Sequence, residues 1–203
     1  MIPVLAVTDP VAARLFLEKT LGFRAAADGH MAFGDTEISV VAADARPDDL
    51  IAMEFDHIAF QVPDADACCR RCLAAGAGLD RRFTPDGPRD IPEFWTQGVR
   101  FVFFTGPEGA PFEFCARNDP SADQGEGHSH FALRSPSPDA LATRLLTMGA
   151  REIASHTLAG QAGPVSVRFL QSGKDIFELF DEPPFAESPA STGWIGLLPD
   201  RLP

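Results

Sequence analysis

The sequence predicts an α+β fold built from repeated modules, each made of a strand, a helix and three further strands. One observation is an internal repeat: residues 56–77 and 129–150 align without gaps and agree at nine of 22 positions. A second is that the segments after both helices correspond, because VRF recurs at 99–101 and 167–169 and PFEF at 111–114 matches IFEL at 176–179. Recurrence of a unit along a chain is typical of a fold assembled from repeated supersecondary structures.

Each predicted element has a local reason in the sequence. In both aligned copies an alternating strand is followed by Pro-x-x-Asp, a helix with Leu and Ala on one face, and a closing Gly. A shorter copy opens the chain with a strand at 4–7, a helix at 10–20 and a meander that turns at 28–29 and 34–35. The chain therefore contains three predicted βαβββ modules.

The predicted boundaries follow from composition. The modules are 1–48, 49–117 and 128–184, separated by a polar, Gly-containing linker at 118–127 and followed by a Pro-rich tail at 185–203. The tail contains one apolar cluster, Trp194–Leu198, which we expect to pack on a sheet or on a partner subunit.

Composition excludes some partners. With 17 Lys+Arg against 29 Asp+Glu, the net charge of −12 repels phosphate backbones and anionic membranes, so we expect no nucleic-acid or membrane partner. The apolar opening is too short for a signal peptide, which predicts a cytoplasmic protein. Three of the four cysteines lie within one predicted helix, which indicates free thiols.

These motifs resemble the vicinal oxygen chelate superfamily, which includes glyoxalase I, extradiol dioxygenases and bleomycin-resistance proteins. The similarity covers nearly all of residues 1–182. It is carried by strand 4–7 with Leu-Gly-Phe at 21–23, by Asp-His-Ile-Ala at 56–59, and by Gly-Pro-Glu-Gly at 106–109 leading to Phe112 and Glu113. The resemblance implies cupped mixed sheets, each formed by two modules around a small-molecule site.

The resemblance also implies metal ligands at a first-strand His and a last-strand Glu of each module. In the first module these positions fall on Ile2 and Ser39, which cannot ligate a metal in the usual way. In the second and third modules they are occupied by four candidate ligands: His57, Glu113, His130 and Glu178. This nitrogen and oxygen set suits one divalent ion of Zn, Ni, Co, Fe or Mn, and the sequence does not select among them. The alternative is a metal-free protein in which these residues have ordinary structural roles.

Strand alternation places His57 on one face with Ala59, and His130 on one face with Ala132, which leaves room beside each imidazole. By the same rule His128 shares a face with His130. Arg134 also falls on this face and is a candidate clamp for an anionic substrate, although a solvated arginine is the alternative. The loop 85–97 contains Phe94 and Trp95 and is either a lid or a surface excursion.

The sequence does not determine which modules pair, because two modules form one sheet and a third module is left without a partner. Either the second and third modules pair and gather all four ligands, or the first two pair and the third meets its copy in another subunit. Both arrangements favour a homodimer.

Three functions are consistent with these observations. The first is a metal-dependent lyase or isomerase of the glyoxalase type, in which the ion polarises vicinal oxygens and Glu178 or Glu113 moves the α-proton as the catalytic base. The second is a metal-free drug-binding protein that resembles bleomycin-resistance proteins and whose charge attracts a cationic guest. An extradiol dioxygenase is third, because that class wants a Tyr near the site and the chain has none.

Overall fold

A computed structural model describes residues 1–53, 55–121, 125–133, 135, 137–159, 163–180 and 193–199. Arg134, the candidate substrate clamp, lies outside these described residues. None of the described helices has the length and apolar character needed to span a membrane.

The N-terminal region forms a strand, a helix and a three-stranded meander. Its elements are β1 (Ile2–Val7), α1 (Pro10–Phe16), a π-helical turn (Leu17–Leu21), β2 (Arg24–Ala25), β3 (Met31–Phe33) and β4 (Thr36–Ala42). Helix α1 begins where Asp9 accepts hydrogen bonds from the backbone N–H groups of Val11 and Ala12. The helical segment ends at Gly22, whose φ of 84° favours glycine.

The middle of the chain contributes β5 (Ile51–Ala52), β6 (Phe55–Gln61), α2 (Ala65–Ala74), β7 (Gly78–Leu79), β8 (Arg89–Ile91), β9 (Val99–Thr105) and β10 (Pro111–Arg117). The last part contributes β11 (Gly127–Leu133), α3 (Pro138–Thr147), β12 (Arg151–Ala159), β13 (Pro164–Ser172), β14 (Asp175–Phe180) and β15 (Trp194–Leu198). The three cysteines of α2 are buried and free, as predicted, and so is Cys115.

Apart from β5, the strands of the second and third predicted modules join in one nine-stranded sheet with the order β12-β13-β14-β11-β6-β10-β9-β7, in which β8 also pairs with β9. The first strands of the two modules, β6 and β11, are antiparallel neighbours at the centre, with Ala132 opposite His57 and His130 opposite Ala59. Each has its module's last strand as a parallel neighbour on the other side. The structure therefore takes the first of the two pairings that the sequence left open.

The N-terminal region forms a separate six-stranded sheet with the order β2-β3-β4-β1-β15-β5. The tail strand β15 runs antiparallel to β1 and pairs Leu198 with Ile2. Trp194 and Leu197 are buried, and the Trp194 indole N–H donates to the Pro111 carbonyl at 3.2 Å. The apolar tail cluster thus packs on a sheet of its own chain.

The two sheets share a phenylalanine-rich core. Phe23 and Phe33 of the six-stranded sheet region lie 5.2 and 5.5 Å, ring centre to ring centre, from Phe60 of β6. Phe33 also contacts Phe114 of β10 at 5.2 Å. The face of the nine-stranded sheet that carries Phe60 and Phe114, called the outer face, packs in this core. The opposite, inner face is therefore left for other contacts.

The predicted fold class is confirmed, since the described chain contains three α-helices among strands arranged in cupped, mixed sheets. The number of modules and their boundaries stay predictions.

Candidate metal centre

Four neighbouring strands of the nine-stranded sheet bring together the four residues that the sequence nominated. The order β14-β11-β6-β10 places Glu178, His130, His57 and Glu113 side by side. The register puts Ala132 beside both His57 and Glu178, and Ala59 beside both His130 and Glu113. Side chains that alternate in this way along paired strands share one face, so all four lie on the inner face.

The four side chains meet at one point. His57 Nε2 lies 2.9 Å from Glu113 Oε2 and 3.6 Å from Glu178 Oε2. His130 Nε2 lies 3.4 Å from Glu113 Oε2 and 3.0 Å from Glu178 Oε2, and the two Nε2 atoms are 3.4 Å apart. Around a divalent ion with ligand bonds of about 2.0 to 2.2 Å, neighbouring ligand atoms lie about 3 to 3.5 Å apart. The spacing of this cluster therefore fits a metal.

Burial makes the cluster chemically demanding. The four residues are 4 % (His57), 6 % (Glu113), 7 % (His130) and 2 % (Glu178) exposed. Glu178 Oε2 has no hydrogen-bond partner among the described residues, although it lies close to His130. A buried carboxylate oxygen without a hydrogen bond is costly, and a cation would satisfy it. We therefore conclude that the residues present fit a divalent ion.

The outer nitrogens of both imidazoles have polar neighbours. His57 Nδ1 lies 2.9 Å from the carboxylate oxygen Oδ2 of Asp56, which is 1 % exposed. His130 Nδ1 lies 3.1 Å from the Ser129 hydroxyl. With Nδ1 facing the Asp56 carboxylate, Nε2 of the His57 ring faces the cluster and is the nitrogen that would bind an ion. Sequence analysis did not assign a role to Asp56 or Ser129, although each directly precedes its histidine.

Without a metal, the imidazoles of His57 and His130 are protonated and the carboxyl group of Glu113 is ionised. Burial lowers the pKa of His57, but hydrogen bonds to Asp56 and Glu113 outweigh burial and raise it to about 10. Burial also lowers the pKa of His130, whereas the charges of Glu178 and Glu113 raise it to about 9. Burial raises the pKa of Glu113, but the charge of His130 and hydrogen bonds to both imidazoles lower it to about 2. A divalent ion carries two positive charges. If it displaces the two imidazole protons, the net charge of the buried cluster is therefore unchanged.

Three of the four residues form one compact set of candidate ligands. The ligand atoms of His57, His130 and Glu178 all lie within 4.8 Å of one another. Glu113 adds a fourth ligand atom that contacts both imidazoles. This arrangement gives the ion up to four protein ligands, and a six-coordinate ion would keep positions for two substrate oxygens.

Aromatic rings surround the cluster. His57 contacts Phe103 at 4.8 Å between ring centres and Phe83 at 6.1 Å, and the two phenylalanines stack at 4.1 Å. His130 contacts Phe169 at 5.7 Å. These apolar neighbours strengthen electrostatic interactions at the cluster because they exclude water.

The strand alternation expected for His128 is wrong. A register shift between His128 and His130 in β11 breaks the alternation, and the His128 ring packs on Phe131 at 4.4 Å. Its Nε2 accepts the backbone N–H of Ile176. His128 therefore does not join the cluster, since a β-bulge turns a side chain to the other face.

The class of protein is indicated by a cupped, mixed sheet whose inner face carries a buried cluster of two histidines and two glutamates. A family model, the glyoxalase/bleomycin resistance protein/dioxygenase superfamily, matches residues 3–114. The chain belongs to this superfamily. His130 and Glu178 lie beyond the matched residues.

Solved structures show the same fold. Glyoxalase I from Zea mays matches with a TM-score of 0.62 at 13 % sequence identity, covering 95 % of this chain and 70 % of that chain. A mutant of the same enzyme matches with a TM-score of 0.59 at 14 % identity, covering 88 % and 65 %. A proposed dioxygenase from Bacillus subtilis gives a TM-score of 0.59 at 18 % identity, covering 95 % and 66 %. The chain thus spans about two thirds of these structures. No curated protein matches its sequence.

Proposed function

We propose that the protein is a metal-dependent enzyme of the glyoxalase type, a lyase or isomerase that acts on a small molecule with two vicinal oxygens. The observation that carries the proposal is the convergence of two imidazole Nε2 atoms and two carboxylate Oε2 atoms at distances of 2.9 to 3.6 Å in a buried site.

In this proposal His57, His130, Glu113 and Glu178 hold the ion. When bound, a divalent ion supplies Lewis-acid polarisation of the substrate oxygens. One of the two glutamates takes the proton from the carbon beside the polarised carbonyl and returns it to the neighbouring carbon. Asp56 orients His57, and the surrounding phenylalanines keep water away from the proton in transit.

Metal content is the first test. We expect protein purified without added metal to contain close to one equivalent of a divalent transition metal. Glu178→Gln keeps the shape of the side chain and removes its charge, so we expect weaker metal retention. If wild type and this variant hold the same small fraction of metal and melt alike with or without Ni²⁺, Zn²⁺ or Fe²⁺, the proposal fails.

The base is assigned by a pair of variants. Glu178→Gln and Glu113→Gln are compared after each is loaded with metal to the same occupancy. We expect the variant that lacks the base to lose exchange of the substrate α-proton with D₂O, while the other retains measurable exchange. Equal residual exchange in both variants would contradict the assignment of a single glutamate base.

A metal-free binding protein is the second candidate, because the protonated imidazoles and the carboxylates neutralise one another without an ion. The net charge of −12 favours a cationic guest. Protein free of metal that is stabilised by cationic drug-like compounds in a thermal-shift screen would support this function. An extradiol dioxygenase remains third.

We also propose that the protein forms a homodimer. The proposal comes from the odd number of predicted modules, since the second and third pair with each other and the first has only β15 and β5 added to its sheet. Light scattering at micromolar concentration is expected to give twice the mass of one chain. A mass of one chain would overturn the proposal.

A further inference from the structure

A second unpaired polar atom lies on the inner face. His156 of β12 is opposite Val167 of β13, and Val167 is opposite Phe180 of β14, two residues beyond Glu178. This register places His156 on the same face as the metal cluster. Its Nε2 atom is buried and has no hydrogen-bond partner among the described residues. Because buried polar atoms are rarely left unpaired, this atom is expected to pair with a bound water or with a polar atom of a ligand.

Aromatic rings frame this nitrogen. The His156 ring lies 5.2 Å from Phe94, 6.3 Å from Trp95 and 6.1 Å from Phe169, measured between ring centres. Phe169 also contacts His130, at 5.7 Å. We call Phe94, Trp95, His156 and Phe169 the aromatic wall. A single ring of this wall separates the unpaired nitrogen from a metal ligand.

The segment between β8 and β9 supplies half of the wall. Phe94 is buried against Phe169 at 5.2 Å, and Trp95 contacts the same ring at 5.1 Å. Of the two alternatives for loop 85–97, the surface excursion is therefore inconsistent with the contacts of these two side chains. The loop reaches across the inner face to the strand that carries Phe169.

Trp95 is held in an unfavourable backbone conformation. Its φ of 55° is uncommon for a bulky residue. The Arg117 guanidinium lies over the indole ring at 4.1 Å and helps to keep it in place. A strained residue that tertiary contacts hold at the edge of a site is a feature of ligand clamps.

We propose that the aromatic wall determines substrate specificity by binding a flat aromatic substituent, and that His156 Nε2 forms a hydrogen bond with a polar atom on that substituent. The substrate's vicinal oxygens then face the cluster. This inference rests on the proposed function for the metal-binding half of the substrate. Aromatic rings favour edge-to-face and offset contacts with a further ring, whereas a small aliphatic substrate would leave the nitrogen unpaired.

Two probes separate the wall from the metal. Acetohydroxamate and benzohydroxamate chelate metals through the same two neighbouring oxygens and differ only in methyl against phenyl. With protein loaded with Ni²⁺ or Zn²⁺, we expect benzohydroxamate to bind at least tenfold more tightly in calorimetric titrations. Benzohydroxamate should also change the fluorescence of Trp95, and Trp95→Phe should remove that change because only Trp194 remains.

The nitrogen is tested with hydroxylated probes. We expect either 3- or 4-hydroxybenzohydroxamate to bind several-fold more tightly than benzohydroxamate to the wild type. His156→Phe keeps a ring of similar size, so it should retain benzohydroxamate binding and lose the gain from the hydroxyl group. The matched control is His30→Phe, since His30 directly precedes β3 of the other sheet, lies beside Glu37 and should leave all three affinities unchanged.

The outcomes distinguish this inference from the function on which it rests. Metal-loaded protein that binds both hydroxamates equally overturns the aromatic specificity and leaves the metal-dependent function standing. If the hydroxylated probe still binds more tightly than benzohydroxamate to His156→Phe, the proposed role of His156 is overturned. Protein that holds no metal and binds neither probe overturns both proposals, whereas preference for benzohydroxamate without metal supports the wall alone.

Discussion

Asp56 controls which nitrogen of His57 faces the candidate metal. Its carboxylate lies 2.9 Å from His57 Nδ1 and is 1 % exposed, so the pair is shielded from solvent. A carboxylate behind a ligating imidazole raises the basicity of the ligand and restricts its rotation. The signal available in sequence is the Asp-His pair itself, but the side chains of neighbouring strand residues ordinarily point to opposite faces. Only the observed contact assigns the role.

Asp56→Asn is expected to weaken metal binding by about 10- to 100-fold while preserving the side-chain shape. The physical reason is that an amide accepts from Nδ1–H without supplying negative charge. Competition with a chromogenic chelator measures the change. Asp66→Asn is a suitable control, because Asp66 pairs with Arg100 away from the cluster. Unchanged affinity in Asp56→Asn would contradict the proposed role.

The stability of metal-free protein should depend on pH in a defined direction. The pKa values of His57 and His130 are raised from 6.5 to about 10 and about 9, so their contribution is fully present below pH 6.5 and is lost as the pH rises to 10. The pKa of Glu113 is lowered from 4.5 to about 2, so its contribution is lost as the pH falls through that range.

Melting curves of EDTA-treated protein between pH 6 and pH 10 test whether the stability falls as the two histidines lose their protons. Added metal should have the opposite dependence, because it binds neutral imidazole and competes less with protons as the pH rises. In His130→Gln the melting temperature of the metal-free protein should fall less steeply with rising pH than in the wild type. An equally steep fall in the variant would show that other groups cause the pH dependence.

The turn between β3 and β4 joins the two sheets through a close backbone approach. A Cβ atom at Gly34 would lie 1.9 Å from the Glu126 carbonyl oxygen, and a Cβ atom at Gly127 would lie 1.9 Å from Asp35 Oδ1. The Asp35 carboxylate also accepts the backbone N–H of His128 at 3.2 Å. This contact connects the N-terminal sheet to the start of β11, which carries His130.

Gly34→Ala should destabilise the protein by about 1 to 3 kcal/mol, since the added methyl group forces two backbone segments apart. Gly173→Ala is the matched control, because Gly173 has a similar φ (60° against 56°) but no atom within 4 Å of its would-be Cβ. Urea denaturation of both variants measures the difference. Equal destabilisation would mean that backbone strain, and not the contact with Glu126, explains the glycine.

The described residues form two sheets: one combines strands of two predicted modules, and the other is completed by the chain's own tail. In the nine-stranded sheet, the antiparallel neighbour of β6 is β11 from another module; in the six-stranded sheet, the antiparallel neighbour of β1 is β15. Strand β15 therefore covers an edge of β1 that would otherwise be open for pairing. The Met1 ammonium group, 2.9 Å from Asp175, adds a contact between the two sheets.

Truncation after Pro184 should reduce the free energy of unfolding by roughly 5 kcal/mol, because it removes the buried Trp194 and Leu197 and uncovers β1. Urea denaturation measures the loss, and light scattering shows whether the exposed edge causes association. Trp194→Phe is the milder companion, since it keeps the strand and removes one hydrogen bond. A truncated chain as stable as the full chain would contradict the packing of β15.

Residue pattern alone predicts the α+β class and the free thiols, because alternation, helix ends and repeated motifs are local properties of a chain. The four candidate ligands His57, Glu113, His130 and Glu178 follow from the resemblance of those motifs to a known superfamily. The sequence does not specify which strands pair with each other, because β6 and β11 pair through backbone groups that are alike at every position. Tertiary contacts alone select the second and third modules as partners, place β15 beside β1 and turn His128 away at a bulge. They also bring the aromatic wall to the four candidate ligands, because packing between strands distant in sequence depends on the shape of the whole core.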